Sequence, residues 1–178
     1  MNRRHAVPLV AAALLGCLAT AAPALASDQA DVLPPLGTHL RYRTTTWTSQ
    51  GADMSIMAPR GWSFVLTPEG QARFNADDRP DVLTMGYRGQ GRLRPELTSK
   101  VAALRGTPGL RILKARGHGA GDSARGELRY LWTAPGGETR FVDHRYQGDD
   151  AYMVAGPLAD RKGLKVVLDT ASMTGYCS

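Results

Sequence analysis

Cysteine is almost missing from this chain: two residues in 178, Cys17 and Cys177. Loss of an N-terminal leader would leave Cys177 alone, so no intramolecular disulfide is expected and stability must come from core packing. Histidine is scarce as well, with four residues. His39, His118 and His144 have no His-x-His or His-Glu-x-x-His spacing and no cysteine nearby, which excludes the usual zinc patterns. Gly-x-Ser-x-Gly is missing, and so is an Asp-x-x-His late in the chain. Beyond the N-terminus no apolar run reaches the ~20 residues that a membrane span needs. No internal repeat or low-complexity segment follows. No catalytic residue, cofactor or metal is therefore expected, and the function is not an enzymatic one on this reading.

What is present begins with Arg3 and Arg4, an apolar run from Ala6 to Leu18, and Ala24-Leu25-Ala26 ahead of Ser27-Asp28. A charged start, an apolar centre and a small-x-small site read as a cleaved export signal over 1–26, cut between Ala26 and Ser27. The localisation expected is secreted or extracytoplasmic. Leu14-Leu15-Gly16-Cys17 resembles a lipobox, so acylation at Cys17 and a lipid anchor are the alternative. Arg3-Arg4 also resembles a twin-arginine signal, with ordinary secretion as the default. Residues 27–38 carry Pro34-Pro35 without periodicity and read as a flexible tether. A single domain over 39–175 follows.

The formal net charge is +6, two lower once Arg3 and Arg4 are removed. Such an excess suits attraction to anionic surfaces. The partner expected is an unknown protein or an anionic envelope component. No nucleic-acid role is expected of an exported protein, and the mature chain is expected to be a monomer without a transmembrane span.

Element signals run along the domain in a definite order. Leu40 to Trp47, Met54 to Met57, Trp62 to Leu66 and Val82 to Tyr87 are rich in strand formers, and Ala58-Pro59-Arg60-Gly61 reads as a turn. Residues 67–80 read as mostly loop. Leu97, Val101 and Leu104 mark a helix over about 95–105 with Gly106 as its stop. Leu110 to Lys114 returns to strand, and Gly117 to Gly121 reads as a flexible turn. Alternation of Leu128, Tyr130 and Trp132 with polar neighbours opens a three-stranded meander over 126–155, one face buried and the other polar. Leu164, Val167, Leu168 and Ala171 define a helix over about 159–172. Two amphipathic helices are then available to cover a largely antiparallel sheet, an α+β domain.

Other groups of residues carry the letters of known sites without their settings. Gly119-Ala120-Gly121-Asp122-Ser123-Ala124 matches a G-x-G-x-x-A spelling, but a strand rather than a helix follows, so it reads as a turn. Gly121-Asp122-Ser123 opens like a hydrolase block, and a small secreted serine hydrolase using Ser123 with His118 or His144 is the enzymatic alternative. Asp143 and His144, adjacent in a strand, point to opposite faces and form no dyad. Asn75, Asp77, Asp78 and Asp81 gather oxygens without the spacing of a calcium loop. Glu138 opposite Arg129, or Asp143 near Arg140, read as surface pairs. Arg129, Arg140 and Arg145 make the meander basic, and its tyrosines and the tryptophans read as core.

The order of elements, the Pro59-x-Gly61-Trp62 turn and the run Tyr152-Met153-Val154-Ala155-Gly156-Pro157 before the last helix resemble the PsbP-like family over residues 40–173. Its members include extrinsic proteins of photosystem II, a Ran-binding import factor and actinobacterial secreted or lipid-anchored proteins of the LpqN/LpqT type, the last being nearest in character. The resemblance implies a three-layer α/β/α sandwich and a binding or assembly role without catalysis. It carries over no site residues.

Overall fold

The structure, a computed structural model, describes residues 41–49 and 52–174, all within the unit Pro34–Ser178. The cleavage site Ala26–Ser27, the tether and both cysteines lie outside the described residues. Nine strands and two helices follow in the order β1 (Tyr42–Ser49), β2 (Ala52–Pro59), β3 (Trp62–Leu66), β4 (Ala72–Ala76), β5 (Val82–Tyr87), α1 (Leu93–Arg105), β6 (Leu110–His118), β7 (Arg125–Thr133), β8 (Thr139–Gln147), β9 (Asp150–Pro157) and α2 (Arg161–Thr174). Short 3₁₀ turns at Gly121–Ser123 and Leu158–Asp160 lead into β7 and α2. Among the described residues β1 and β2 pair only with each other, and the remaining seven strands form one sheet in the order β3-β4-β5-β9-β8-β7-β6. Every paired neighbour is antiparallel. The domain is thus α+β, with a largely antiparallel sheet and two helices.

Local chemistry explains the elements. Leu164, Val167, Leu168 and Ala171 are all fully buried, so the 3.6-residue stripe of α2 is the stripe that leaves water. Each of the three larger side chains contributes about 1.5–3 kcal/mol by burial. They meet Ile56, Phe74, Leu83, Tyr152 and Val154 in one cluster that includes Trp47 and Met54 of the β1–β2 hairpin. The Pro59–Trp62 turn hands the chain from hairpin to sheet, with Gly61 at a φ of 85° that a side chain would strain. Trp62 is then buried.

A second cluster unites Leu93 and Leu97 of α1 with Leu128 and Tyr146. Phe141 belongs to the α2 cluster and Tyr146 to the α1 cluster. They stand five positions apart on β8, and side chains alternate along a strand, so the two clusters draw on opposite faces of β8. Gly117 and Gly126 face each other across β6 and β7 beneath α1. A methyl group at Gly126 would sit 2.7 Å from Leu93 Cδ2 and 2.7 Å from the Arg116 carbonyl oxygen. Gly126→Ala should therefore lower stability by about 1–3 kcal/mol through overpacking. Urea unfolding checks this, and an unchanged midpoint would mean that α1 has slack against the sheet.

Three sequence readings need correction. Residues 67–80 contain β4, not only loop: Thr67 and Gln71 close a tight hairpin (Thr67 N donates to Gln71 O at 2.8 Å), and Ala72, Phe74 and Ala76 point inward. Two of those three inward residues are small, and Arg73 and Asn75 lie between them, so the segment reads as polar. β6 runs to His118 rather than stopping at Lys114, because Gly117 is a packing glycine under α1 and not part of a free turn. The meander has the expected polar face, carrying Glu127, Arg129, Asp143 and Arg145, with Glu127 and Asp143 buried within it. α1 begins at Leu93, slightly before the expected start, with Pro95 tolerated in the first turn.

Candidate functional site

Charge on this domain is sorted into two arrangements, one internally neutralised and one left open. The neutralised one spans β6, β7, β8 and α2. β6 carries a bulge between Ile112 and Lys114, and the extra residue reverses the alternation. Before the bulge, Ile112 shares the α1 face with Tyr130. After it, Ala115 and Gly117 take that face, and Lys114 and Arg116 turn to the other. There they meet Glu127: Lys114 Nζ pairs with Glu127 Oε1, and Arg116 Nε lies 3.2 Å from the same oxygen. Arg129 reaches Asp143 in two ways, Nε to Oδ2 at 3.0 Å and Nη2 to Oδ2 at 2.9 Å. Arg145 joins Asp143 at 3.7 Å and Asp169 of α2 at 2.9 Å. Burial acts to raise Glu127, but the hydrogen bond and charge of Lys114, with Arg116 and Arg129 behind, hold its carboxyl below the ordinary range. Burial pushes the Asp143 carboxyl up, against the pull of Arg129 and Arg145. Asp143 thus pairs with Arg129, its cross-strand neighbour, and not with Arg140, while Arg140 lies 4.0 Å from Glu138.

The open arrangement is a groove between α1 and β6. One part, about 490 Å³, is lined by Arg94, Leu97, Thr98, Val101, Ala102 and Arg105 of α1 and by Ala115, Arg116 and Gly117 of β6. An adjoining part, about 780 Å³, adds Arg92, Pro95, Ser99, His118, Gly119 and Ala120. No carboxylate lines either part. Arg94, Thr98, Val101 and Arg105 recur at helical spacing, so one stripe of α1 forms the wall. Among the described residues, the side chains of Arg92, Arg94 and Arg105 have no ion pair, whereas Arg116, whose side chain turns to the other face, is paired with Glu127 and 72% exposed. The other basic groups near α1 are spent: Arg88 pairs with Glu96 at 3.2 Å and donates to the Gly89 and Gly91 carbonyls, and Lys100 pairs with Glu96 at 2.8 Å. Arginines of this kind, without a protein acceptor, are suited to bidentate capture of carboxylate or phosphate.

Ser123 and His144, two residues of the enzymatic alternative, are engaged separately. Ser123 Oγ donates to its own turn, to the Ala120 carbonyl at 2.8 Å, rather than to a histidine. His144 is stacked between Tyr130 and Tyr146, with centroids 5.9 and 6.3 Å away, and Lys100 lies 5.0 Å from the Tyr146 ring centre. Burial, aided by the Lys100 charge, pushes His144 down to about 3. Such an imidazole is a weak base at neutral pH. Asp143, its chain neighbour, points to the opposite face, as strand alternation requires.

The acidic loop does not assemble a cation site either. Asn75 lies in β4 and accepts a hydrogen bond from Arg73 Nε at 2.8 Å. Asp78 pairs with Arg79 at 3.7 Å. Asp81 turns inward, and its carboxyl oxygens have no hydrogen-bond partner. Among the described residues no three metal-ligating side chains converge, and no helix is long and apolar enough to cross a membrane.

No family model and no curated protein matches the chain. Among solved structures, it is similar to the solution structure of cyanobacterial PsbP (CyanoP) from Synechocystis sp. PCC 6803, with a TM-score of 0.47 and 10% identity, over 83% of this chain and 99% of that one. At that level the likeness is one of chain course, and nothing about the activity of this protein follows from it.

The arginines of the groove were legible as residues but not as a site. Arg92 and Arg94 precede or open the helix and Arg105 ends it, while Ala115 and Gly117, which line the groove from β6, come ten and twelve positions later in a strand. Helical spacing was the available signal for the α1 wall; only packing brings β6 beside it.

Proposed function

We propose that this chain is an exported, non-catalytic binding protein of PsbP-like, three-layer α/β/α form, and that it docks an anionic partner at the cell envelope through the α1–β6 groove. The observation that carries this reading is the set of arginines without an ion pair among the described residues, Arg92, Arg94 and Arg105, along a groove whose described lining contains no carboxylate. The reading of 1–26 as a signal cleaved between Ala26 and Ser27 supports export, and the lipobox-like Leu14-Leu15-Gly16-Cys17 supports a lipid-anchored version of the same role.

Binding of the chain from Ser27 onward to isolated envelope fractions tests the function. Retention is expected at low salt and should fall steeply as ionic strength shortens the screening length. The double reversal Arg94→Glu/Arg105→Glu should weaken it by about tenfold or more, a loss of about 1.4 kcal/mol. Both positions are solvent-facing, so the fold should be unaffected, as circular dichroism would check. Equal retention by the double variant would remove the groove from the account, and no retention at any ionic strength would remove the function. In the full-length chain, Cys17→Ser separates the two localisations: release from membranes would establish the anchored form.

A further inference from the structure

The geometry points to a polypeptide as the partner: an extended acidic segment that adds to β6 as an eighth strand, beneath the arginines of α1. This rests on the groove reading above and names the class of ligand. β6 ends the seven-stranded sheet. Among the described residues nothing pairs with its outer edge between Arg111 and Gly117; the bridge of Arg92 to Ala120 lies beyond that stretch. An edge strand of nine residues presents a row of unpaired N–H and C=O groups, a template that another extended chain can complete. A lipid surface or a phosphate polymer has no use for that row, whereas a polypeptide satisfies it.

The side chains on either side of the edge choose the partner. An added strand would send alternate residues to the two faces of the sheet. On one face they would enter the groove, over Val101 and Ala115 and between Arg94 and Arg105. On the other they would stand beside Arg111 and Arg116, which the alternation and the bulge set on that face, Arg116 being 72% exposed along its side chain although paired with Glu127. Acidic residues would find opposite charges on both sides, at cross-strand distances where such pairs are favourable. The same cations exclude a second copy of this chain at this edge, because β6 against β6 would oppose like charges. The opposite edge of the sheet, β3, carries no charged residue, and Arg43 Nη2 already donates to the Trp62 carbonyl at 3.1 Å.

The test uses the chain from Ser27 onward and three probes: a peptide of about nine residues, strand length, alternating Asp and Val; the same peptide N-methylated at alternate residues; and polyphosphate. The expected result is saturable binding of the unmodified peptide, slower exchange of the outward amides within 111–117, and affinity about tenfold lower after N-methylation, which keeps the charge and removes backbone donors. The Arg94→Glu/Arg105→Glu variant should lose affinity to a similar extent. Equal binding of both peptides, or binding of polyphosphate in preference with β6 amides unprotected, would overturn strand addition and leave the reading of a basic, anion-binding groove intact. Binding of no probe by a chain that envelope fractions retain would likewise overturn strand addition; binding of neither probes nor fractions would take the groove reading down with it.

Discussion

Arg129→Ala should lower the unfolding free energy by about 3 kcal/mol at pH 7. Arg129 is the centre of the buried ladder: it donates to Asp143, which is fully buried, and lies 3.7 Å from Glu127. Truncation leaves two desolvated carboxylates short of their shared countercharge, a costlier state than the intact pair is a favourable one. The arginine is 20% exposed along its side chain, and Lys114 and Arg145 remain, so the lower end of the range for buried pairs applies. The pH dependence gives the diagnosis. Glu127, held low in the folded protein, contributes stability that is present above its unfolded pKa and lost as pH falls through its folded value. In the variant both carboxylates are easier to protonate, so the deficit should shrink towards pH 4. Urea unfolding at the two pH values checks it; a small loss, equal at both, would show the ladder to be as weak as an exposed pair.

Asp81→Asn should have the opposite sign, a gain of stability above pH 6. Asp81 is 1% exposed, its carboxyl rests against Gly156 and near Leu164, and neither oxygen has a hydrogen-bond partner. Arg140 passes close by but spends a donor on the Pro80 carbonyl at 2.6 Å. Burial first, and the Asp160 charge second, push its carboxyl from 3.8 up to about 6, against Arg79 and Arg140. A raised acid contributes its stability fully below the unfolded pKa and loses it as pH rises through the folded one. Ionised Asp81 thus costs the folded state up to about 3 kcal/mol above pH 6, and less to the extent that solvent and the two arginines relax around it. Asparagine keeps the shape without the charge. Its melting temperature should exceed that of the parent at pH 7.5 and match it near pH 4. A variant less stable at pH 7.5 would mean that the arginines hold the carboxylate in place and that its ionised form is the structural one.

How much of this was legible in the chain depends on how local the cause is. The α2 stripe was complete in the sequence, since Leu164, Val167, Leu168 and Ala171 need only a helix to share a face. The meander was legible because Gly148 and Pro135-Gly136-Gly137 punctuate three alternating runs. β4 was not, because small Ala72 and Ala76 look neutral until Phe64 and Leu83 flank Phe74. The direction of Lys114 and Arg116 was hidden as well: a single bulge residue, with Leu113 left 44% exposed, inverts the second half of β6.

Periodicity, turn residues and the positions of charge follow from the order of amino acids, because each reflects the geometry of a few neighbouring bonds. Which charge meets which does not. Arg129 stands across from Asp143 and not Glu138 because the β7–β8 register puts them opposite, and Arg94 and Arg105 border a groove because α1 settles against Gly117 and Gly126. Register and helix docking are set by contacts distant in the chain, so the neutralised ladder and the open basic groove exist only once the strands have paired and the helices have packed on them.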